Sequence, residues 1–143
     1  MHHTDDIGFL IKLINESIVK KANQNLKPFD LTLSQARILF YLRDHPETTT
    51  SQKDLEEHFE VSHPTIIGIL SRLEKKDFIW SEFDRQDKRV KNIFLTDTGL
   101  ALVSSMDDNK RSNDQQMLKH LTPAQISELQ SLLKIVYQNA QQL

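Results

Sequence analysis

Ile7, Leu10, Ile11, Ile14 and Ile18 recur at i, i+3, i+4, i+7 and i+11. That spacing puts them on one face of an amphipathic helix of about five turns. Its end is expected before Pro28, because the residue ahead of a proline is driven out of the helical region. "TLSQ" at 32–35 has the form of a capping box, and Ala36, Leu39 and Phe40 share a face of the helix it opens. "DHPETTT" reads as loop. "SQKD" at 51–54 marks a third start, for a short helix with Leu55 and Phe59 four apart. After the turn at "EVS" (60–62), Ser62 is placed to cap a fourth helix, with Pro64 in its first turn. There Ile66, Ile69, Leu70 and Leu73 form one face, and Thr65, Ser71, Arg72 and Lys75 lie opposite.

The period then changes. "FIWSEF" (78–83) and "VKNIFL" (90–95) are alternating or continuous apolar runs rich in aromatic and β-branched residues, as strands are. They predict a two-stranded hairpin. Thr96 caps a long helix through Leu100, Val103 and Met106, whose middle, "DDNKRSNDQQ", is polar on all sides and reads as a strut crossing solvent. "TPAQ" (122–125) opens a last helix with the stripe Ile126, Leu129, Leu133, Val136 and Ala140. The expected class is mainly α, with six helices and one hairpin.

A chain of 143 residues with 38% hydrophobic and 27% charged residues is of globular composition and long enough for a real core. It has no Cys, which removes disulfides, thiolate metal sites and cysteine nucleophiles. No apolar run is long enough to span a membrane, and the start has no basic leader, so a cytoplasmic setting is expected. His2 and His3 leave open whether they are native. No Gly-rich phosphate loop, carboxylate pair or nucleophile–His–acid order stands out, so an enzyme is not expected.

Charge adds the informative feature. With 18 Lys+Arg against 20 Asp+Glu the chain is slightly acidic, yet "DRQDKRVKN" (84–92) gathers Arg85, Lys88 and Arg89 between the two predicted strands and Lys91 at the start of the second. The order short helix, tight turn, helix, hairpin is that of a helix-turn-helix unit followed by a wing. A hairpin tip is slim enough for a minor groove about 6 Å wide, whose focused negative potential attracts an inserted arginine. Asp87 costs affinity by repulsion, and makes sense there if it pairs with Arg89 or Arg85 and fixes that guanidinium's direction; the other reading is a solvated surface pair that contributes little, and the helix-turn-helix ahead of it favours the first.

The stretch "SRLEKKDFIWSEFDRQDKRVKNIFLTDTG" (71–99) resembles the MarR family of winged helix-turn-helix transcriptional regulators. The matching pieces are Leu73-Glu74-Lys75-Lys76, then Asp87-Lys88-Arg89, then Leu95-Thr96-Asp97-Thr98-Gly99. "ANQNLKPFDLT" (22–32) and "QDKRVKNIFLT" (86–96) are most similar to the multidrug-efflux repressor branch, the MepR-like one. The resemblance implies a homodimer held by the N- and C-terminal helices, with residues 1–30 and 98–143 as dimerisation region and 31–97 as DNA-binding lobe. It implies a repressor that binds double-stranded DNA at a pseudo-palindromic operator and is released by a small aromatic or amphipathic ligand, without a cofactor. The segment Ser62 to Arg72 is then the groove-reading segment, Arg89 the minor-groove arginine and Asp87 its orienting partner. Three positions depart from the pattern. Where the family often carries hydrogen-bonding side chains, this chain has Ile67, which could touch a thymine methyl, and Gly68, which could allow close backbone approach. Asp77 stands where Gly is common, so the turn into the wing needs an unusual geometry.

Other residues carry two readings each. His63 could bond a phosphate or base, or be an ordinary exposed first-turn residue. Asp54 and His58, at i and i+4, could share a metal, but the other histidines add no ligand pattern, so no metal site is expected. Ile14, Leu33, Phe40 and Met106 could line a drug-sized pocket or be plain core. Trp80 reads as packing rather than base stacking. The rival functions are a winged helix used as a protein-interaction module without DNA binding, and a metal-responsive repressor.

Overall fold

A computed structural model describes residues 5–143; His2 and His3 lie outside the described residues. The elements run α1 (Ile7–Leu26), a 3-10 turn (Lys27–Phe29), α2 (Leu33–Asp44), β1 (Thr50–Ser51), α3 (Gln52–Phe59), α4 (His63–Lys75), β2 (Ile79–Phe83), β3 (Lys91–Leu95), α5 (Asp97–Met117) and α6 (Pro123–Ala140). Among the described residues this gives the six expected α-helices. Their starts are built by the side chains that mark them. Thr32, Ser51 and Thr122 each accept the backbone N–H three residues on, at 3.3, 3.0 and 3.1 Å. Gln35, Asp54 and Gln125 accept the cap residues' own N–H groups in return, at 3.1, 2.9 and 2.9 Å. Ser62 accepts from the Thr65 amide at 3.3 Å, and Thr96 from the Gly99 amide at 2.9 Å.

β2 and β3 form the expected antiparallel hairpin, in register Ile79↔Leu95 through Phe83↔Lys91. A third strand that the residue pattern did not signal joins it: β1 pairs antiparallel with β3, Thr50↔Ile93 and Ser51↔Asn92, for a sheet order β1-β3-β2. Only two residues long, β1 is too short to show alternation. It ties the start of α3 to the wing.

The chain divides into two compact units, Met1–Met106 and Asp107–Leu143. In the first, Ile38 and Leu39 of α2, Leu55 of α3, Ile66 and Leu73 of α4 and Val103 of α5 are fully buried in one core, with Ile79 and Ile93 from the hairpin. Truncating one of these leucines to alanine typically removes about 2–5 kcal/mol of stability. The stripe on α1 is not consumed by this core, for Ile7, Ile11 and Ile14 are exposed. In the second unit, Leu129, Leu133 and Val136 of the α6 stripe are likewise exposed, with Leu132, Ile135 and Tyr137.

Asp77 takes the left-handed conformation that its place demands, with φ of 61°. The Phe78 N–H reaches back to the Leu73 carbonyl at 3.1 Å and the Asp77 N–H to that of Glu74 at 3.0 Å, which closes α4 with a Schellman motif. A non-glycine residue in that region costs about 1–2 kcal/mol. The Thr96 hydroxyl donates to the Asp77 carbonyl at 2.6 Å, and the Thr96 N–H to that of Phe78 at 3.1 Å. The turn is thus held from the far end of the hairpin.

Candidate nucleic-acid interface

α4 buries Ile66, Ile69, Leu70 and Leu73. That fixes its rotation and leaves Ser62, His63, Thr65, Ile67, Ser71, Arg72 and Lys75 exposed, with Gly68 half-buried. Three ties hold the helix in place. At its start, His63 Nδ1 lies 2.6 Å from Glu56 Oε1 of α3. Near its end, the Ser81 hydroxyl of β2 donates to Glu74 Oε1 at 3.2 Å. Just past its end, the Lys76 ammonium donates to the Asp30 carbonyl and lies 3.5 Å from the Asp30 carboxylate. His63 is therefore an exposed residue with a protein partner.

The wing tip is shaped by Asp84, which the sequence reading passed over. Its Oδ2 accepts the Gln86 and Asp87 N–H groups, both at 3.0 Å, and its Oδ1 accepts the Asn92 side-chain amide at 3.0 Å. The Asp84 N–H donates to Val90 O at 2.8 Å and the Val90 N–H to Asp87 O at 3.0 Å, which closes the loop. An aspartate at a loop entry, followed two residues later by a bonded amide, is the signature of an Asx turn and was there to be read.

Within this loop Asp87 and Arg89 form the pair expected of them. Oδ1 accepts from Arg89 Nε at 3.0 Å and Oδ2 from Nη2 at 3.2 Å, a two-bond fork, and the Arg89 N–H adds a third bond at 3.1 Å. Arg89 nonetheless keeps 91% of its side-chain surface exposed. The carboxylate steers the guanidinium without covering it. Arg85 and Lys88 are exposed beside it and Lys91 is half-buried.

Both wing carboxyls ionise more readily than an ordinary aspartate. The Arg89 guanidinium, with its N–H, holds the Asp87 carboxyl low; for Asp84 the Asp87 N–H does most, then the Asn92 amide and the Gln86 N–H. Their contribution to wing order is complete above the unfolded value of about 3.9 and is lost as pH falls through the lower folded values. Wing geometry is therefore expected to be constant from pH 8 to 5 as far as these groups go, and to loosen below about pH 4. Side-chain carboxyl NMR should give both midpoints below the ordinary aspartate value. A normal or raised Asp87 midpoint would mean that the fork is absent in solution.

The remaining candidates fall elsewhere. Asp54 is engaged in capping α3, and the His58 ring lies 4.5 Å from that of Tyr41. No group of three or more His, Cys, Asp or Glu suited to a metal occurs among the described residues. Trp80 stacks on Phe94 across the hairpin, ring centroids 4.4 Å apart, as packing predicts. Leu33 and Phe40 pack on the cluster that contains buried Met106, whereas Ile14 is exposed. A recess of about 70 Å³ lined by Ser34, Arg37, Phe59, Val61 and Ile66 involves none of these four. It is far below the few hundred Å³ that a drug-sized ligand occupies. None of the described helices is long and apolar enough to cross a membrane.

Comparison with known proteins agrees with this geometry. The MarR family model matches residues 29–90. An HTH-type transcriptional regulator of Bacillus cereus is 35% identical over 124 residues, 78% of this chain and 80% of that protein. The HTH-type transcriptional repressor IacR of Pseudomonas putida is 28% identical over 118 residues, 82% of this chain and 70% of IacR. Among solved structures, the Staphylococcus aureus MepR–DNA complex is 28% identical and superposes with a TM-score of 0.89 over 94% of this chain and 98% of MepR. With 35% identity to such a regulator over 78% of its length, and the same fold as the MepR–DNA complex, the chain belongs to the MarR family of winged-helix transcriptional regulators.

Proposed function

We propose that the chain is a repressor that binds a pseudo-palindromic operator as a homodimer and lets go when a small aromatic or amphipathic ligand binds. The observation that carries the DNA half is Arg89, directed by two bonds from Asp87 yet almost fully exposed at the wing tip. In this reading residues 31–97 are the DNA-binding lobe. α4 enters the major groove with Ser62, His63, Thr65, Ile67, Gly68, Ser71, Arg72 and Lys75. Arg85, Lys88, Arg89 and Lys91 of the wing serve the flanking minor groove and its phosphates. A net charge of −2 is no obstacle, because phosphate contact needs cations on one face only.

Residues 1–30 and 98–143 form the dimerisation region. The uncovered stripes on α1 and on α6 support this, since a second copy supplies the apolar surface that each lacks. The ligand half rests on the similarity to the multidrug-efflux branch, with Ile14, Leu33, Phe40 and Met106 as first candidates for contact. The ligand acts by binding more tightly to a dimer whose reading helices are wrongly spaced.

Selecting duplexes from a random pool tests the DNA half. The expected product is an inverted repeat with half-site centres about 34 Å apart. With six or more phosphates contacted, affinity is expected to fall by about a thousandfold or more between 50 and 200 mM salt. A chain that sediments as a monomer at working concentration, or that retains no duplex at low salt, would overturn the reading.

A further inference from the structure

Gly68 lies in the middle of α4, where glycine weakens a helix relative to alanine. The folded chain does not ask for it. Its φ is not positive, and a Cβ built there would meet nothing nearer than Arg72 Nη1 at 3.6 Å, the tip of a flexible side chain at ordinary contact distance. Gly99 is the opposite case, since its Cβ would fall 2.1 Å from the Phe78 carbonyl oxygen. A mid-helix gap that costs stability and relieves no clash within the chain makes sense if something outside the chain fills it.

The surroundings say what fits. Ile67, beside the gap, is 44% exposed although its neighbours Ile66 and Ile69 are buried. The Arg72 guanidinium lies at the edge of the gap, on a flexible side chain that can swing to a phosphate, while the isoleucine side chain and the bare Cα offer no hydrogen bond, so a polar base edge pressed against those two goes unsatisfied. Thymine alone presents a methyl group in the major groove. We propose that Gly68 is a specificity-determining position: with Ile67 it forms a notch that receives one thymine 5-methyl group in each half-site. This rests on the reading of α4 as the groove-reading helix.

The test compares the full-length protein with Gly68→Ala on the duplex selected by the wild type, in which each thymine is replaced in turn by uracil, so that only the methyl is lost. One thymine per half-site is expected to be sensitive. Its replacement should weaken wild-type binding by about fourfold per half-site, the effect of one buried methyl. The same replacement should not weaken Gly68→Ala, already a weaker binder on the thymine duplex, and should restore part of its affinity, because the alanine methyl then takes the space that the thymine methyl left. Gly68→Ala should also melt about 3 °C higher, because the helix gains and nothing clashes. The proposal is overturned if no thymine is sensitive, if wild type and variant lose equally, or if the variant melts lower and so shows that the fold itself needs the glycine. Failure of the wild type to retain any duplex at low salt would remove the groove reading as well. That result is distinct from a bound duplex indifferent to uracil.

Discussion

Arg89→Ala is expected to weaken binding to every duplex, selected or random, by about ten- to a hundredfold. The loss should be uniform because a minor-groove guanidinium responds to groove potential more than to base identity. It should also make the salt dependence shallower by roughly one unit of slope per lost phosphate contact. The fold should hardly change, since the side chain is exposed and buries nothing. The companion substitution Asp87→Asn is more discriminating, because its two causes have opposite signs. If Asp87 acts only as a negative charge near DNA, removing that charge strengthens binding. If it directs Arg89 through the two-bond fork, removing it leaves a guanidinium that must be ordered on binding, and affinity falls several-fold. Fluorescence anisotropy at a few salt concentrations separates these outcomes. Unchanged affinity for Arg89→Ala would take away the wing's assigned role.

The difference between what was legible in the chain and what was not follows from the range of the interactions. Capping boxes act over three residues and helix stripes over four, so α2, α3, α4 and α6 could be read locally, and the caps at Thr32, Ser51, Ser62 and Thr122 formed as read. The Asp87–Arg89 fork spans two residues and was visible for the same reason. What escaped is non-local or very short. Lys76 and Asp30 are 46 residues apart, and no spacing rule announces their contact. The His63–Glu56 pair crosses the helix-turn-helix corner, so a histidine with two open readings turned out to have an acidic neighbour already in place. The α1 and α6 stripes were correctly placed on helices. A stripe shows which face is apolar but not what covers it, and their exposure in the single chain is what gives the dimer reading its physical motive.

Gly99→Ala is expected to cost the fold about 3 kcal/mol, although alanine is the better helix former by about 1 kcal/mol. The reason is the knot where α4, the hairpin and α5 meet. Thr96 accepts the Gly99 N–H and donates its own hydroxyl to the Asp77 carbonyl, while its N–H holds the carbonyl of Phe78. These bonds draw the first turn of α5 so close to the α4–β2 turn that a methyl at Gly99 would sit 2.1 Å from the Phe78 oxygen and 3.1 Å from the Leu95 side chain. Backbone must move for it to fit, and a shift of the Phe78 carbonyl away from Gly99 strains the Thr96 bonds to the Phe78 and Asp77 carbonyls. A melting temperature lower by roughly 10 °C is the expected reading. Duplex affinity should fall as well, since the wing and α4 are both referred to this turn, through Thr96 at one side and the Schellman bonds at the other. The same exchange at Gly68 should raise the melting temperature. Two chemically identical substitutions with opposite effects on stability would show that α5 is seated by contact with the turn and that the bare position on α4 is not required by the fold. A Gly99→Ala variant as stable as the wild type would mean that the turn yields, and that the Leu-Thr-x-x-Gly sequence (95–99) does not fix the wing.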